Sequence, residues 1–228
     1  MKAMIGDETG TGTPASPPCM LHELRPDGTV PVDCEQTRDV ARWRKAERQR
    51  LITARGLLAP EYRSQQTLAI AAAIEQILVD RSLALPTVSV YWPIRAEPDM
   101  RPWMHALAQR GVRVALPLAV ELGRPLSFRE WRPHARLARG LWNIPYPADG
   151  EALKPDVVIA PLVGFDEACY RLGYGGGFFD RTLALLDPKP LAIGVGYPEA
   201  AVRTIYPQPH DIPMDWIVTG SPSPLRRR

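Results

Sequence analysis

Apolar residues recur along the chain at two spacings, and the alternation of those spacings predicts the architecture. Val40–Ile52 is built mostly from good helix formers, and after Pro60 a second helix carries Ile70, Ile74, Ile77 and Leu78 on one face. Thr87–Trp92 reads as a strand. Asp99 predicts the N-cap of a helix that holds Trp103, Met104 and Leu107 and stops at Gly111. Val112–Leu116 is the next strand, and in Leu126–Trp131 apolar and polar positions alternate as in an edge or hairpin strand. Asp156–Ala160 is a short continuous apolar run of the buried parallel type. Phe178–Leu186 reads as a helix, Leu191–Val195 as a strand and Trp216–Thr219 as the last strand. Helices alternating with strands predict an α/β fold, a three-layer α/β/α sandwich around a mostly parallel, Rossmann-like sheet.

This pattern bounds a single domain over residues 39–221. Residues 1–38 are rich in Gly, Thr, Pro and Asp without periodicity and read as a flexible extension. Residues 222–228, ending in Arg226-Arg227-Arg228, read as a basic tail in solvent. A chain of 228 residues with 45% hydrophobic content suffices for one well-buried domain. The net charge of +3 is too small, and too little interleaved with aromatics, to predict a nucleic-acid partner. No apolar run approaches the ~20 residues of a membrane span, so no membrane association is expected. Cys19, Cys34 and Cys169 form no C-x-x-C pair and are odd in number, which disfavours a disulfide scaffold or zinc site and predicts a cytoplasmic protein.

The candidate chemistry centres on Arg171-Leu-Gly-Tyr-Gly-Gly-Gly-Phe-Phe-Asp180-Arg181. Glycines let consecutive backbone N–H groups turn inward, and such concavities favour anions. The loop opens a helix whose first turn holds Asp180, where the helix dipole also favours phosphate. A cation before the loop and a carboxylate after it, able to hold hydrated Mg2+, suit a nucleoside triphosphate. A glycine cluster that only makes a turn is the alternative. The loop lacks the Gly-Lys-Ser/Thr ending of a Walker P-loop, and Phe178 stands where a dinucleotide fingerprint needs its third glycine.

Three further groups carry open alternatives. Asp211, before the last strand, either joins Asp180 at a metal-phosphate site or caps a local turn. Glu97, close after Trp92, either meets a flat heterocycle with paired N–H donors beside an aromatic shelf or is a solvated loop acid. Arg44, Lys45 and Arg48 on the first helix either clamp phosphate or form a solvated face. His22, His105 and His134 show no ligand spacing, and no nucleophile motif supports covalent hydrolysis.

Phe165-Asp166 and Tyr170 through Arg181 closely resemble the signature of the 5-formyltetrahydrofolate cyclo-ligases, and the resemblance runs in order over roughly residues 40 to 220. Tyr91-Trp-Pro-Ile-Arg-Ala-Glu97, Val114-Ala-Leu-Pro117, Leu126-Ser-Phe128, Ile144-Pro-Tyr-Pro147 and Pro209-His-Asp-Ile-Pro213 are similar to further family segments. The resemblance implies ATP and Mg2+ as cofactors and a reduced folate, 5-formyltetrahydrofolate, as substrate. The implied reaction phosphorylates the formyl oxygen, closes the ring to 5,10-methenyltetrahydrofolate and releases ADP and phosphate. It implies that Arg171, Leu172, Gly173, Tyr174, Gly175, Gly176, Gly177, Phe178 and Phe179 cradle ATP, with Arg44 and Arg48 clamping it from the first helix. It places Mg2+ on Asp180 and Asp211, the pterin on Glu97 and Trp92, and Tyr174 between the two ligands. Arg171, Tyr174 and Asp180 then form the catalytic set, in a monomer or weak homodimer. Arg44 stands for the family's usual lysine, Glu47 for a common leucine, Cys169 for a frequent glycine and Phe178-Phe179 for a usual Tyr-Tyr pair. These departures, with the long extension, leave a non-catalytic folate- or nucleotide-binding paralogue as the alternative.

Overall fold

The computed structural model describes residues 34–83 and 86–228, so the extension expected over residues 1–38 falls largely outside the described residues. Within them the first helix, α1 (Cys34–Gly56), starts five residues before the expected Asp39. Its leading segment lacks apolar periodicity, so the spacing of apolar residues does not mark its start. Helix α2 (Pro60–Asp80) opens on a proline, whose fixed φ and missing N–H are harmless there, and buries Ile70, Ile74, Ile77 and Leu78 as the spacing predicts. Helix α3 (Arg101–Gln109) buries Trp103, Met104 and Leu107. Its N-cap is Met100 rather than Asp99. The Asp99 carboxylate instead accepts the Arg101 N–H at 3.1 Å and the Arg101 guanidinium at 2.7 and 2.6 Å.

Seven strands form the main sheet: β1 (Val88–Ser89), β2 (Val114–Leu118), β3 (Ser127–Trp131), β6 (Val157–Pro161), β9 (Leu191–Val195), β10 (Trp216–Val218) and β11 (Leu225–Arg226). Their order is β11-β10-β9-β6-β1-β2-β3, parallel from β10 to β2 and antiparallel at both edges. The mostly parallel three-layer architecture is therefore present. Strand β3 is the expected edge strand, with Trp131 opposite Val114 and Ser127 opposite Leu118. The terminal segment departs from a purely solvated tail. Leu225 and Arg226 return along β10, and the Arg226 guanidinium lies over the Trp216 ring, 5.4 Å from its centroid. Two short hairpins, β4 (Leu137–Arg139) with β5 (Pro145–Pro147) and β7 (Gly164–Phe165) with β8 (Arg171–Leu172), have no clear periodicity in the sequence. Helix α4 (Phe178–Leu185) follows β8.

The two faces of the sheet divide the core. Val88, Val157, Ile159 and Ile193 pack with α2 and α3, whereas Val158, Ala160 and Ala192 pack with Leu183 of α4, Cys169 and Met214. Adjacent residues of one strand point to opposite faces, so the continuous apolar run of β6 supplies both layers. Each fully buried aliphatic side chain contributes about 1.5–3 kcal/mol. A third, smaller cluster of Leu51, Val163, Leu172 and Ile205 seats α1 across the carboxyl ends of the strands.

The chain leaves β1 towards β2 on one side and leaves β6 towards β9 on the other, so β1 and β6 flank the topological switch point. Loops diverge there and open a crevice at the strands' carboxyl ends. The segment from Tyr91 to Glu97 follows β1, and the β7–β8 hairpin with its glycine loop follows β6.

Candidate functional site

The glycine loop is presented by a hairpin with a rigid base. Asp166, buried, accepts the N–H groups of Ala168 and Tyr170 at 3.1 Å each and of Ile205 at 3.0 Å. Burial still holds its carboxyl above the usual range. Cys169 takes a left-handed conformation at φ 64°, one that glycine adopts without the strain a side chain brings. Arg171 leaves the hairpin buried, donates to Asp180 Oδ2 at 3.1 Å and lies over the Phe179 ring, 5.1 Å from its centroid. Its Nε is buried with no hydrogen-bond partner among the described residues.

Glycine is required here by close approach as well as by dihedral angle. A Cβ on Gly173 would stand 2.7 Å from Arg171 Nη1, and one on Gly176 would stand 2.8 Å from the Phe178 ring. Gly175 and Gly177 have φ of 98° and 62°, where an L side chain is strained. From Gly173 through Asp180, no backbone N–H donates to a protein acceptor among the described residues. That run ends at the N-terminus of α4, whose first N–H groups have no partner within the helix. Leu172 turns its side chain into the small third cluster, so only its backbone belongs with the loop.

Helix α1 lays a stripe of arginines over the crevice. Arg44, Arg48 and Arg55 recur at spacings of four and seven, which places them on one helix face, and Lys45 points away and is exposed. Arg44 is buried. Its Nε and Nη2 donate to the Ile205 and Tyr206 carbonyls at 2.8 Å each, and its Nη2 pairs with Asp211 Oδ2 at 2.5 Å. Arg48 Nε donates to the Gly173 carbonyl at 2.7 Å, and burial with the neighbouring Arg44 charge lowers its pKa. Asp211 Oδ2 also accepts the Gln208 N–H at 2.7 Å, and Asp180 Oδ1 accepts the Ile212 N–H at 3.4 Å. Asp180 and Asp211 thus line the same cavity as the loop, on adjoining backbone segments.

The other end of the cavity is built after β1. Arg95 and Ala96 both adopt left-handed conformations, at φ 47° and 60°, and turn Glu97 inward. Glu97 is 5% exposed, accepts the Ile94 N–H on Oε2 at 2.9 Å and accepts the Tyr174 hydroxyl on Oε1 at 2.8 Å. It is therefore no solvated loop acid, and burial raises its pKa. Arg55 donates to the Tyr174 hydroxyl, to the Arg95 carbonyl at 3.0 Å and to the Leu162 carbonyl at 3.2 Å. Trp92 lines the cavity half-buried, with the Arg101 guanidinium 5.6 Å from its ring centroid.

Between these ends lies a cavity of about 370 Å3. Its remaining wall comes from Leu118, Ile144 and Tyr146 and from Trp142, whose ring meets Phe178 edge-on at 5.4 Å. Sequence reasoning missed Arg55, Arg95, Trp142 and Tyr146. The heptad spacing from Arg48 to Arg55 was the available signal for the first. Trp142 carried none, because the β4–β5 hairpin that places it has no periodicity, and Tyr146 stood only within the Ile144–Pro147 segment of the resemblance. Among the described residues no group of three or more His, Cys, Asp or Glu side chains converges as a metal cluster. No helix among them is long and apolar enough to cross a membrane.

Fold and cleft together define a doubly wound α/β protein with a ligand-sized cavity at its topological switch point. Residues 40–220 match the model of the 5-formyltetrahydrofolate cyclo-ligase family, and the chain belongs to that family of ligases. It is similar to the 5-formyltetrahydrofolate cyclo-ligase of Escherichia coli (strain K12), with 33% identity over 174 residues that cover 73% of this chain and 94% of that one. The 5-formyltetrahydrofolate cyclo-ligase of Mycolicibacterium smegmatis is 33% identical over 144 residues, covering 58% of this chain and 73% of the relative. Among solved structures, the NMR structure of Aquifex aeolicus 5,10-methenyltetrahydrofolate synthetase superposes with a TM-score of 0.69 at 27% identity, covering 81% of this chain and 93% of that one.

Proposed function

We propose that the protein catalyses the ATP- and Mg2+-dependent closure of 5-formyltetrahydrofolate to 5,10-methenyltetrahydrofolate, with release of ADP and phosphate. The observation that carries this reading is the run of unclaimed N–H groups from Gly173 through Asp180, facing a cavity whose far end holds the buried Glu97. ATP supplies a phosphoryl group that turns the formyl oxygen into a leaving group, so that the neighbouring folate nitrogen closes the ring as phosphate departs.

The residues fit both ligands. Loop amides and the buried, unpartnered Arg171 Nε form a donor set for a triphosphate, and Arg48 adds charge from α1. Among the described residues Asp180 accepts two hydrogen bonds, from Arg171 and Ile212, and so keeps lone pairs for a hydrated Mg2+. Asp211 is largely committed to Arg44 and Gln208, and would act on the ion's water shell. Arg44 fixes Asp211 and the Ile205–Tyr206 segment, which sets the charge of the phosphate end. Glu97 would accept paired N–H donors of the pterin, with Trp92 as the aromatic shelf. Tyr174, bonded to Glu97 while its backbone belongs to the loop, would sit where the two ligands meet. The work asked of these groups is positioning and charge neutralisation.

The direct test mixes the full chain with 5-formyltetrahydrofolate, ATP and Mg2+ and follows methenyltetrahydrofolate absorbance. Signal growth that needs all three is expected. A properly folded protein that stays silent would end this reading.

A further inference from the structure

Arg55, in the last turn of α1, is buried and is not part of the cavity wall. Its guanidinium joins three segments that meet at the topological switch point. Nε donates to the Arg95 carbonyl at 3.0 Å in the loop after β1, Nη1 to the Leu162 carbonyl at 3.2 Å after β6, and Nη2 to the Tyr174 hydroxyl in the glycine loop. A guanidinium can only donate, so the hydroxyl oxygen receives from Arg55 and its own proton goes elsewhere. It goes to Glu97 Oε1, at 2.8 Å, while Glu97 Oε2 receives the Ile94 N–H at 2.9 Å. Both carboxylate oxygens thus hold a donor, and among the described residues no cation forms an ion pair with Glu97 directly. The other charged or titratable groups facing it are Arg95, on its own loop, and the phenols of Tyr91 and Tyr197, which burial keeps protonated. Burial pushes the Glu97 carboxyl up, and the Ile94 N–H, the Arg55 charge, the Tyr174 hydroxyl and the Arg95 charge oppose it.

We propose that Arg55 is a positioning residue: by donating to the Tyr174 hydroxyl it points that hydroxyl's proton at Glu97 and fixes Glu97 as an acceptor, without touching the ligand. The cleft then selects a heterocycle edge that presents adjacent N–H donors and disfavours one that presents acceptors. This rests on the reading of Glu97 as the group that meets the pterin. Removing the guanidinium frees the hydroxyl to turn and receive a proton from a carboxylic acid, the arrangement in which Glu97 becomes a donor. The three bonds of Arg55 also brace the cleft. The two roles separate in experiment, because bracing alone leaves the Glu97 titration where it is.

The test follows Glu97 itself in the ligand-free full chain. Carboxyl 13C NMR against pH, with the Glu97 signal assigned by its loss in Glu97→Gln, gives the midpoint of its titration. Initial rates with ATP, Mg2+ and 5-formyltetrahydrofolate are measured over the same pH range. Arg55→Met is expected to move the midpoint up by about 1 pH unit or more, the scale of one charge-assisted hydrogen bond. The acid limb of kcat/KM for the folate is expected to move with it, while the KM for ATP stays within about twofold. Arg55→Lys, which keeps a cationic donor, is expected to recover about half of the shift or more. In a Tyr174→Phe background, where the link is already cut, Arg55→Met is expected to move the midpoint much less. An unmoved midpoint overturns the proposal, even if the rates fall. A shift just as large in the Tyr174→Phe background also overturns it, since Arg55 would then act by charge alone. A wild-type protein without turnover sinks the functional reading, while the carboxyl titration still decides whether Arg55 sets Glu97. Should Arg55→Met fail to fold, Arg55→Gln carries the same readouts, and a midpoint there equal to wild type overturns the proposal.

Discussion

The Tyr174 hydroxyl donates to Glu97 Oε1 at 2.8 Å across the topological switch point, joining the loop that follows β6 to the loop that follows β1. Arg55 completes the link by donating to the same hydroxyl, so a buried carboxylate, a phenol and a guanidinium lie in series. Burial, with Glu97 as the next cause, holds the Tyr174 phenol well above its ordinary pKa, so it stays a donor at any physiological pH. Replacing it by Phe leaves Glu97 with one donor fewer. Tyr174→Phe is expected to lower stability by about 1–2 kcal/mol in urea unfolding at neutral pH. An unchanged midpoint would show that the hydroxyl contributes nothing.

Glu97 makes stability depend on pH in a direction that can be checked. Burial raises its folded-state pKa, so the folded state binds the proton more tightly than the unfolded chain. The associated stability is present below the unfolded value and is lost as pH rises through the folded one. Glu97→Gln escapes that loss. Its melting temperature relative to wild type is expected to be higher at pH 7.5 than at pH 4.5, while folate turnover collapses. A difference that does not change with pH would contradict the assignment.

Arg44, buried, and Asp211, partly buried, form a pair in which removing one partner strands the other. Arg44→Ala also leaves the Ile205 and Tyr206 carbonyls without their donor. It is expected to cost about 3–5 kcal/mol. The double variant with Asp211→Ala is expected to fall well short of the sum of the single ones, as a denaturant double-mutant cycle would reveal.

Gly173→Ala sets a methyl 2.7 Å from Arg171 Nη1 without disturbing the apolar clusters. The guanidinium must move off the loop. An ATP KM at least tenfold higher with a melting temperature within a few degrees of wild type is the expected outcome, measured by initial rates and calorimetry. Wild-type kinetics would show that the Arg171 position is immaterial.

Asp180→Asn keeps the shape of the side chain and removes its charge opposite Arg171. Turnover is expected to fall by about two orders of magnitude or more, the scale of losing one electrostatic contact in the transition state. Raised Mg2+ is expected to recover part of it, because mass action refills a site that has lost one ligand. Loss that no Mg2+ concentration relieves would show that Asp180 acts through Arg171 and not through the ion.

Much of this molecule was legible from local pattern. Ile70 to Leu78, the alternation of β3 and the apolar run of β6 gave the layers, because side-chain direction follows the period of 3.6 or 2. The signature from Arg171 to Asp180 marked the loop whose successive amides are left unclaimed, because glycines at those positions turn the backbone without side chains in the way. Non-local contacts lay outside that reach. The pairing of Arg44 with Asp211, the burial of Glu97 beneath Tyr174, the return of Leu225 along β10 and the placing of Trp142 against Phe178 each join segments far apart in sequence. A residue's spacing says which face it occupies. What that face meets, and hence whether an arginine is a solvated charge, a phosphate clamp or a buried strut, is decided only when distant segments are packed together and water is removed.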